Sequence, residues 1–444
     1  MRTTRRDPQR TGIYVHFPYC IQKCHYCDFY SVGLDQINQP DRRAHSSSAS
    51  ATAHAGGHAN AQTAVAPALL DEFVENIRVE FHERVQNPRF RRFEEINTIF
   101  FGGGTSSLLP PELIADLLDL FRGEYRFTPD IEITLEGNPE NFTQDYLESL
   151  AQIGVTRVNV GLQTFQEQRL AEMHRFYNPG QYEQVLENLH RAATRAESQG
   201  RAISRIGGDL IYGFPGQTAA DFYADLERTI AAGVNHLSIY SLTLEDNTAY
   251  AGHVLKGRMA APTESLQAEI FVDLPAKLAA AGLEHYEVSN FARAGSECRH
   301  NLRYWLYESY LALGPGAHGF DGVERYGNPR SVALWKQNPA GAKSEEHVLF
   351  DDFPLGYLRL CDRIEADVFA QVLGDDYGCA AEITERAVGL LEEWEHRGDL
   401  VRLDDAALDN TKSAGKSPLC WRWTRDGLLR LDERVVEMCG VLEG

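Results

Sequence analysis

The chain has 444 residues, a formal net charge of −21 at pH 7, 43% hydrophobic residues and 24% charged residues. This length allows two domains of ordinary size, or one large domain with an appendage. The acidic balance argues against a nucleic-acid partner. No apolar run approaches the ~18 residues that a transmembrane helix requires.

The N-terminal residues 1–11 are basic and polar, and they lack the apolar centre of a signal peptide. We expect a disordered tail there, followed by a first strand at the apolar run Ile13–Val15. The cysteines outside the first 30 residues show no regular spacing, and without a secretion signal they favour buried free thiols. A reducing, cytoplasmic location is therefore predicted.

Directly after the first predicted strand, Cys20, Cys24 and Cys27 form the pattern C-x3-C-x2-C. Thiolates are the ligands that iron–sulfur clusters require. Three of them would hold a [4Fe–4S] cluster and leave its fourth iron open to a small molecule. The alternative is a zinc site in which His16 or His25 completes the ligands. Zinc knuckles usually bring a second ligand pair further along the chain, which is missing here, so the pattern favours a cluster.

From residue 34 to residue 67 the chain is rich in Ala, Ser, His, Gly and Gln, which predicts a disordered insert. Strand-like apolar runs then alternate with helical patterns. This alternation predicts βα units and a parallel sheet. With the first strand there are six units, fewer than the eight of a closed barrel, so we expect an α/β fold with a partial, open (β/α)6 barrel over residues 12–335. The later strands are predicted at Ile96–Phe101, Ile131–Leu135, Arg157–Val160, Ile206–Tyr212 and His236–Tyr240.

The last hundred residues lose this alternation. Ile383–Arg397 and Leu428–Met438 have helical periodicity, and Leu400–Leu403 and Cys420–Trp423 suggest a small wing. We therefore predict a smaller helical domain of winged-helix type over residues 340–444. Its acidic character favours a lid or packing role over DNA binding.

Polar and glycine residues stand where the predicted strands end, which is where parallel barrels carry their functional groups. The glycines of Gly102–Thr105 allow a ligand close to the backbone, although a tight turn also needs glycine. Glu136 is placed to accept hydrogen bonds from a ribose. Gln163, Arg175 and Asp209 lie at or just beyond the ends of the following strands.

Two further segments carry motifs. Gly314–Gly319 fits G-x-G-x-x-G by letter, but Pro315 and the lack of a following helix argue against a dinucleotide site. His300 stands beside Tyr304 and Trp305, so an exposed imidazole there could offer a haem ligand between flat apolar walls. From the residues alone, a loop histidine bonded to neighbouring backbone is the default interpretation.

The cysteine pattern, with Tyr26 one residue before its last member, resembles the radical SAM (S-adenosylmethionine) superfamily. Further segments resemble the branch of oxygen-independent coproporphyrinogen III dehydrogenases and HemW-type haem chaperones. They are Tyr14–Cys20, Gly102–Ser106, Asp209–Thr218 and His300–Trp305. The resemblance covers about residues 12–444 without the insert, and it implies the same partial barrel.

The resemblance also implies site residues. It implies that the three cysteines hold the cluster and that Gly103, Gly104 and Thr105 cradle the amino end of SAM. It further implies that Tyr14, Tyr26 and Glu136 line the first SAM site, and that Gln163, Arg175 and Asp209 line a second pocket.

The last implications concern function. The H-N-x-x-Y-W segment resembles the haem-chaperone signature, which implies that His300 binds haem. Phe29 stands where the dehydrogenases carry a further cysteine, which argues against decarboxylase activity and leaves enzymatic activity open. We therefore expect a haem chaperone that binds a [4Fe–4S] cluster, SAM and haem. It would use an electron donor and deliver haem to acceptor proteins. The alternative is an oxygen-independent coproporphyrinogen III dehydrogenase.

Overall fold

The computed structural model describes residues 9–34, 65–175, 180–199, 203–344, 349–376, 381–403 and 419–443. The predicted tail and most of the predicted insert lie outside these ranges. Their described edges are more ordered than expected, because the first strand already begins at Arg10. Leu34 and Val65, at the two edges of the insert, are 8% and 3% exposed. Both edges of the insert are therefore fixed in the hydrophobic core.

The strands, numbered in chain order, are β1 (Arg10–Phe17), β2 (Tyr19–Cys20), β3 (Val32–Gly33), β4 (Glu95–Gly103), β5 (Arg126–Gly137), β6 (Arg157–Gln163), β7 (Arg205–Tyr212), β8 (His236–Ser241), β9 (Glu284–Glu287), β10 (Asn290–Ala292), β11 (Tyr310–Leu313), β12 (His318–Phe320), β13 (Arg325–Gly327), β14 (Lys343–Ser344), β15 (Ile364–Glu365), β16 (Leu400–Arg402) and β17 (Cys420–Trp423).

The helices are α1 (Pro67–Arg84), α2 (Pro88–Arg91), α3 (Pro111–Glu124), α4 (Gln144–Ile153), α5 (Glu167–Glu172), α6 (Gly180–Gln199), α7 (Ala219–Ala231), α8 (Ala249–Leu255), α9 (Glu264–Ala280), α10 (Arg299–Trp305), α11 (Val332–Gln337), α12 (Leu349–Tyr357), α13 (Ala366–Phe369), α14 (Ala381–Arg397), α15 (Arg425–Leu428) and α16 (Leu431–Glu443). Short 3-10 turns lie at Ser106–Leu108 and Pro139–Asn141, and a π-helical segment spans Ala370–Asp376.

The main sheet has twelve strands in the order β14-β13-β12-β11-β1-β4-β5-β6-β7-β8-β10-β9. The six predicted strands, β1 and β4 to β8, are parallel neighbours in chain order, which confirms the open arrangement of βα units. A seventh parallel strand, β11, pairs with the other side of β1 and was not predicted. Antiparallel strands close both edges, with β12 to β14 on one side and β9 and β10 on the other.

Burial and capping explain these elements. Every residue of β6 is buried, as expected for a central strand that is covered by packed elements on both faces. Helix α7 begins with a capping box, in which the Thr218 hydroxyl accepts the Asp221 N–H and the Asp221 carboxylate accepts the Thr218 N–H. Helix α4 ends at Gly154, whose φ of 101° is the left-handed conformation that glycine adopts without a steric cost.

The C-terminal part contains the predicted helices and wing. Strands β15, β17 and β16 form a separate antiparallel sheet, and helices α14 and α16 pack beside it. The buried residues of this part, including Trp394 and Trp421, belong to the same hydrophobic cluster as Ile13 and Phe101 of the main sheet. The chain is thus an α/β protein with a smaller helical, winged-helix-like part. The exact domain boundary at residue 340 stays a prediction. Among the described helices, none has both the length and the apolar character needed to cross a membrane.

Candidate cofactor site at the carboxyl edge of the sheet

The three cysteines lie on the loop that leaves β1. Cys20 ends the short strand β2, which pairs with β3 on the far side of the loop. Cys27 donates its N–H to the Cys24 carbonyl at 3.3 Å, which closes a turn between them. The intervening His25 donates its N–H to the Met173 carbonyl just after α5. All three thiols are free and partly exposed, so the loop is anchored while its sulfurs remain accessible.

The three thiols influence one another electrostatically. Burial raises the pKa of the Cys27 thiol to about 12, and the neighbouring Cys24 and Cys20 sulfurs add to the rise. Burial also raises the pKa of Cys20, although hydrogen bonds from Thr105 and Ser31 oppose this. Three mutually repelling thiolates are the donor set that a cationic iron core would stabilise. The residues therefore fit an iron–sulfur cluster.

The zinc alternative needs a histidine with a nitrogen directed at the cysteines. Both ring nitrogens of His16 are already engaged, Nδ1 with the Tyr14 hydroxyl at 3.0 Å and Nε2 with the Tyr30 carbonyl at 2.7 Å. Nδ1 of His25 lies 3.1 Å from the Glu172 carbonyl. In the described part of the chain, no three or more His, Cys, Asp or Glu side chains are grouped to hold a single metal ion. The engaged nitrogens of His16 disfavour it as a zinc ligand.

The glycine loop after β4 packs directly on the segment that carries Cys20. Gly104 donates its N–H to the Phe17 carbonyl at 2.6 Å, and Thr105 donates to the Tyr19 carbonyl at 2.9 Å. Gly103 has a φ of 102°, and a Cβ added there would lie 2.7 Å from the His16 ring. Glycine is therefore required at Gly103 both by its backbone conformation and by the adjacent imidazole.

Two carboxylates face the interior of the barrel beside this loop. Burial and, to a lesser extent, the nearby Asp209 carboxylate raise the pKa of Glu136 to about 8. Burial likewise raises the pKa of Asp209, whose Oδ1 accepts a hydrogen bond from Asn159 at 2.7 Å. The two acids are close enough to repel each other, so this pocket suits a ligand that brings hydroxyl or amino donors.

Arg175 connects the cysteine loop to the next strands. Its guanidinium donates to the Tyr26 hydroxyl at 3.0 Å, to the Asn138 side chain at 2.7 Å and to the Gly161 carbonyl at 3.0 Å. A Cβ added to Gly161 would lie 2.9 Å from the Gln163 amide and 3.2 Å from Arg175. Tyr26, Gln163 and Arg175 are therefore neighbours, and the roles that the sequence assigns to them stay predictions.

His300 is placed differently from the prediction. It lies in α10 and is 0% exposed, so the expectation of an exposed imidazole is wrong. Its Nδ1 lies 2.9 Å from the Thr98 hydroxyl, its backbone N–H donates to Glu132, and its ring packs among Tyr14, Phe100 and Tyr304. Thr98 lies on β4 and Glu132 lies on β5. Their contacts with His300 orient the face of α10 that carries this residue toward the sheet. The assignment of His300 to haem stays a prediction.

A large cavity opens beside the cysteine loop. It has a volume of about 530 Å³ and is lined by Asp28, Phe29 and Tyr30 of that loop, by α10 and by β12. Tyr14, Tyr304 and Trp305 form part of its wall, and Phe29 at its edge is 67% exposed. Its volume lies in the range of roughly 300–1,000 Å³ that is typical of sites for drug-sized ligands.

Comparison with known proteins agrees with this architecture. The sequence model of the radical SAM superfamily matches residues 14–229. The chain is 34% identical over 336 residues to the haem chaperone HemW of Mycobacterium tuberculosis, which covers 75% of both chains. It is 32% identical to HemW of Escherichia coli over 308 residues, or 69% of both chains. The chain belongs to the HemW family of radical SAM proteins.

Among solved structures, this chain aligns with coproporphyrinogen III oxidase (HemN) from Escherichia coli with a TM-score of 0.68. The alignment covers 98% of this chain and 91% of the HemN chain. At 19% identity this likeness shows the fold alone. The architecture is therefore the radical SAM partial barrel with its C-terminal helices. Membership of the radical SAM family also implies a [4Fe–4S] cluster and SAM.

Several residues around the site were not singled out from the sequence as site residues. Asn138 contacts Arg175, and its signal was a polar residue three positions after a predicted strand. His16 supports Gly103, although the sequence suggested it only as a zinc ligand. His318 lines the cavity and lies in the glycine-rich run that was rejected as a dinucleotide motif. That run had no periodicity that could predict the strand β12.

Proposed function

We propose that this protein is a haem chaperone that holds a [4Fe–4S] cluster, binds SAM beside it and carries haem to acceptor proteins. The observation that carries the proposal is the aromatic cavity that borders the cysteine loop, with exposed Phe29 at its edge. A flat macrocycle matches aromatic walls, since ring faces stack with offset geometry. The relatives that are named haem chaperones support the same conclusion.

Within this proposal Cys20, Cys24 and Cys27 are the cluster ligands. When bound, the cluster supplies one-electron chemistry for SAM. The backbone of Gly103 and Gly104 and the side chain of Thr105 border the place where the amino end of SAM would bind. The protonated form that burial favours at Glu136 can donate a hydrogen bond as well as accept one.

Around this first site, the Tyr14 and Tyr26 rings exclude water from the cluster side. Arg175, Gln163 and Asp209 form the polar wall on the other side of Tyr26. Arg175 is fixed by three acceptors and therefore presents a preorganised positive charge near the cysteine loop. This charge would attract an electron-rich ligand such as the carboxylate of SAM, and an electron donor would have to approach the partly exposed cysteines.

The deciding experiment uses anaerobically reconstituted protein with SAM, a reductant and coproporphyrinogen III. We expect no carbon dioxide and no protoporphyrinogen, whereas addition of haem gives a stoichiometric absorption band. The haem should then pass to a haem-free acceptor protein. Release of carbon dioxide with formation of protoporphyrinogen would instead establish the dehydrogenase.

The cluster ligands are tested separately. Cys24→Ala should abolish the brown absorbance of the reconstituted protein. Cys439→Ala is the matched control, since Cys439 is also partly exposed but lies in α16. Retention of the cluster absorbance by Cys24→Ala would contradict the ligand assignment without touching the haem proposal.

A further inference from the structure

Helix α5 ends beside the cysteine loop with a residue that is strained in its position. His174, two residues after the helix, has a φ of 61°. The Arg175 N–H donates to the Leu170 carbonyl at 2.8 Å, and the His174 N–H donates to the Ala171 carbonyl at 3.0 Å. These are the two hydrogen bonds of a Schellman motif, whose left-handed position is usually glycine. A histidine there keeps a steric cost that glycine avoids.

Other helices of this chain end in the same motif with glycine. The same pair of hydrogen bonds places Gly154 after α4, Gly282 after α9 and Gly398 after α14 in the left-handed position. Among the described helix ends, Tyr307 after α10 is the other departure, and its ring is buried in the hydrophobic core. A side chain at this position therefore points to contacts that compensate for the backbone strain.

The ring of His174 makes such contacts with the cysteine loop. It lies on the ring of His25, which stands between Cys24 and Cys27, with the ring centroids 4.6 Å apart and the planes inclined by 4°. Nδ1 of His174 also lies 3.4 Å from the Lys23 carbonyl. The strained residue thus packs on the segment of the loop that carries two of the three thiols.

His25 in turn caps the carbonyl end of α5. Its N–H donates to the Met173 carbonyl at 3.1 Å, and its Nδ1 lies 3.1 Å from the Glu172 carbonyl. The last carbonyls of a helix have no partner within the helix, so these contacts stabilise its end. From the other side, the Tyr250 N–H of α8 donates to the His25 carbonyl at 2.9 Å, and the His253 ring lies edge-on at 5.1 Å. His25 is therefore held between α5 and α8.

The residue after His174 contacts the same loop one position further on. Arg175 is 8% exposed, and its guanidinium donates to the Tyr26 hydroxyl at 3.0 Å. The left-handed conformation of His174 turns the chain at this point. Its ring and the Arg175 side chain thereby reach two consecutive loop residues, His25 and Tyr26.

We propose that His174 is a positioning residue for the iron–sulfur cluster, whose ring fixes His25 and with it the Cys24–Cys27 turn. The inference rests on the cluster ligands of the proposed function and adds a residue that the cysteine motif does not contain. Residues that orient metal ligands from outside the ligand set typically change metal affinity by about 10–100-fold. The strained backbone is then retained for the contact with the loop rather than for the stability of α5.

The test separates the stability of the chain from retention of the cluster. In His174→Gly the left-handed position becomes favourable while the stacked ring is lost. The thermal midpoint of the cluster-free protein should therefore stay within about 2 °C of that of the unsubstituted protein. After anaerobic reconstitution, the variant should lose its cluster absorbance to an iron chelator roughly tenfold faster. His174→Phe keeps a flat ring and should restore slow loss.

The matched control is the reverse exchange, Gly398→His, in the same motif at the end of α14. A Cβ there would meet nothing within 4 Å. This variant should lower the thermal midpoint by about 1–2 °C, because it introduces the strain without a compensating contact. Its rate of cluster loss should equal that of the unsubstituted protein.

The outcomes distinguish this inference from the proposed function. Equal rates of cluster loss in His174→Gly and the unsubstituted protein would overturn it. Rates that follow the thermal midpoint through all the variants would also overturn it, since they would show a merely structural role. Haem takes no part in this test, so a protein that shows the expected split but binds no haem refutes the chaperone alone. If the unsubstituted protein assembles no cluster, the ligand assignment and this inference fail together.

Discussion

The glycine loop gives the sharpest quantitative prediction, because Gly103 is constrained twice. Its φ of 102° costs a side chain about 1–2 kcal/mol. A Cβ there would also lie 2.7 Å from the His16 ring and force that ring to move. Moving it endangers two hydrogen bonds, to Tyr14 and Tyr30, of about 0.5–1.5 kcal/mol each. We therefore expect Gly103→Ala to lower the free energy of unfolding by about 2–5 kcal/mol.

The matched control is Gly123→Ala, the same substitution in an exposed position of helix α3. A Cβ at Gly123 would meet nothing within 4 Å. Alanine should there raise the free energy of unfolding by about 0.5–1 kcal/mol, because it reduces the freedom of the unfolded chain and favours the helix. Urea denaturation of the cluster-free protein, followed by tryptophan fluorescence, measures both. Equal midpoints for Gly103→Ala and the unsubstituted chain would refute the reasoning about the loop.

Two further predictions concern buried charges. The pKa of Glu136 is raised from 4.5 to about 8, so its contribution to stability is complete below pH 4.5 and is lost as pH rises through 8. In thermal unfolding of the SAM-free protein, Glu136→Gln should remove part of this decline in the free energy of unfolding with pH. The part removed is at most ~1.4 kcal/mol per pH unit. If the variant kept the pH profile of the unsubstituted protein, the assignment to Glu136 would be wrong. Glu132→Ala should cost about 3–5 kcal/mol in urea denaturation, because it leaves Arg157 buried without its carboxylate, 3.1 Å away, and His300 without its N–H acceptor. The double variant with Arg157→Met should lose less than the sum of the single losses, and strict additivity would show that the two side chains are not coupled.

Strands were predictable where burial requires short apolar runs or closely spaced apolar residues. The six parallel strands are largely buried, and β6 is fully buried although Asn159 and Gln163 interrupt its apolar residues. Strand β11 is only four residues long and pairs with β1 from the opposite end of the chain, and local periodicity carries no sign of such a pairing. Strand β12 has three residues with a central glycine, so it has neither the length nor the composition of a strand signal.

The same distinction, between local sequence signals and distant contacts, applies to the residues of the site. Parallel topology brings Glu136 at the end of β5 near Asp209 within β7, whereas Arg175 reaches the cysteine loop from the segment after α5; their roles stay predictions. The exposure of His300 was not predictable, since the orientation of the short helix α10 is set by Glu132 and Thr98 on distant strands. A motif thus fixes which residue types are present, whereas tertiary contacts decide which imidazole reaches the cavity. Aromatic rings and the Glu132 carboxylate enclose His300, so tertiary contacts decide the burial of an imidazole that the motif alone leaves open.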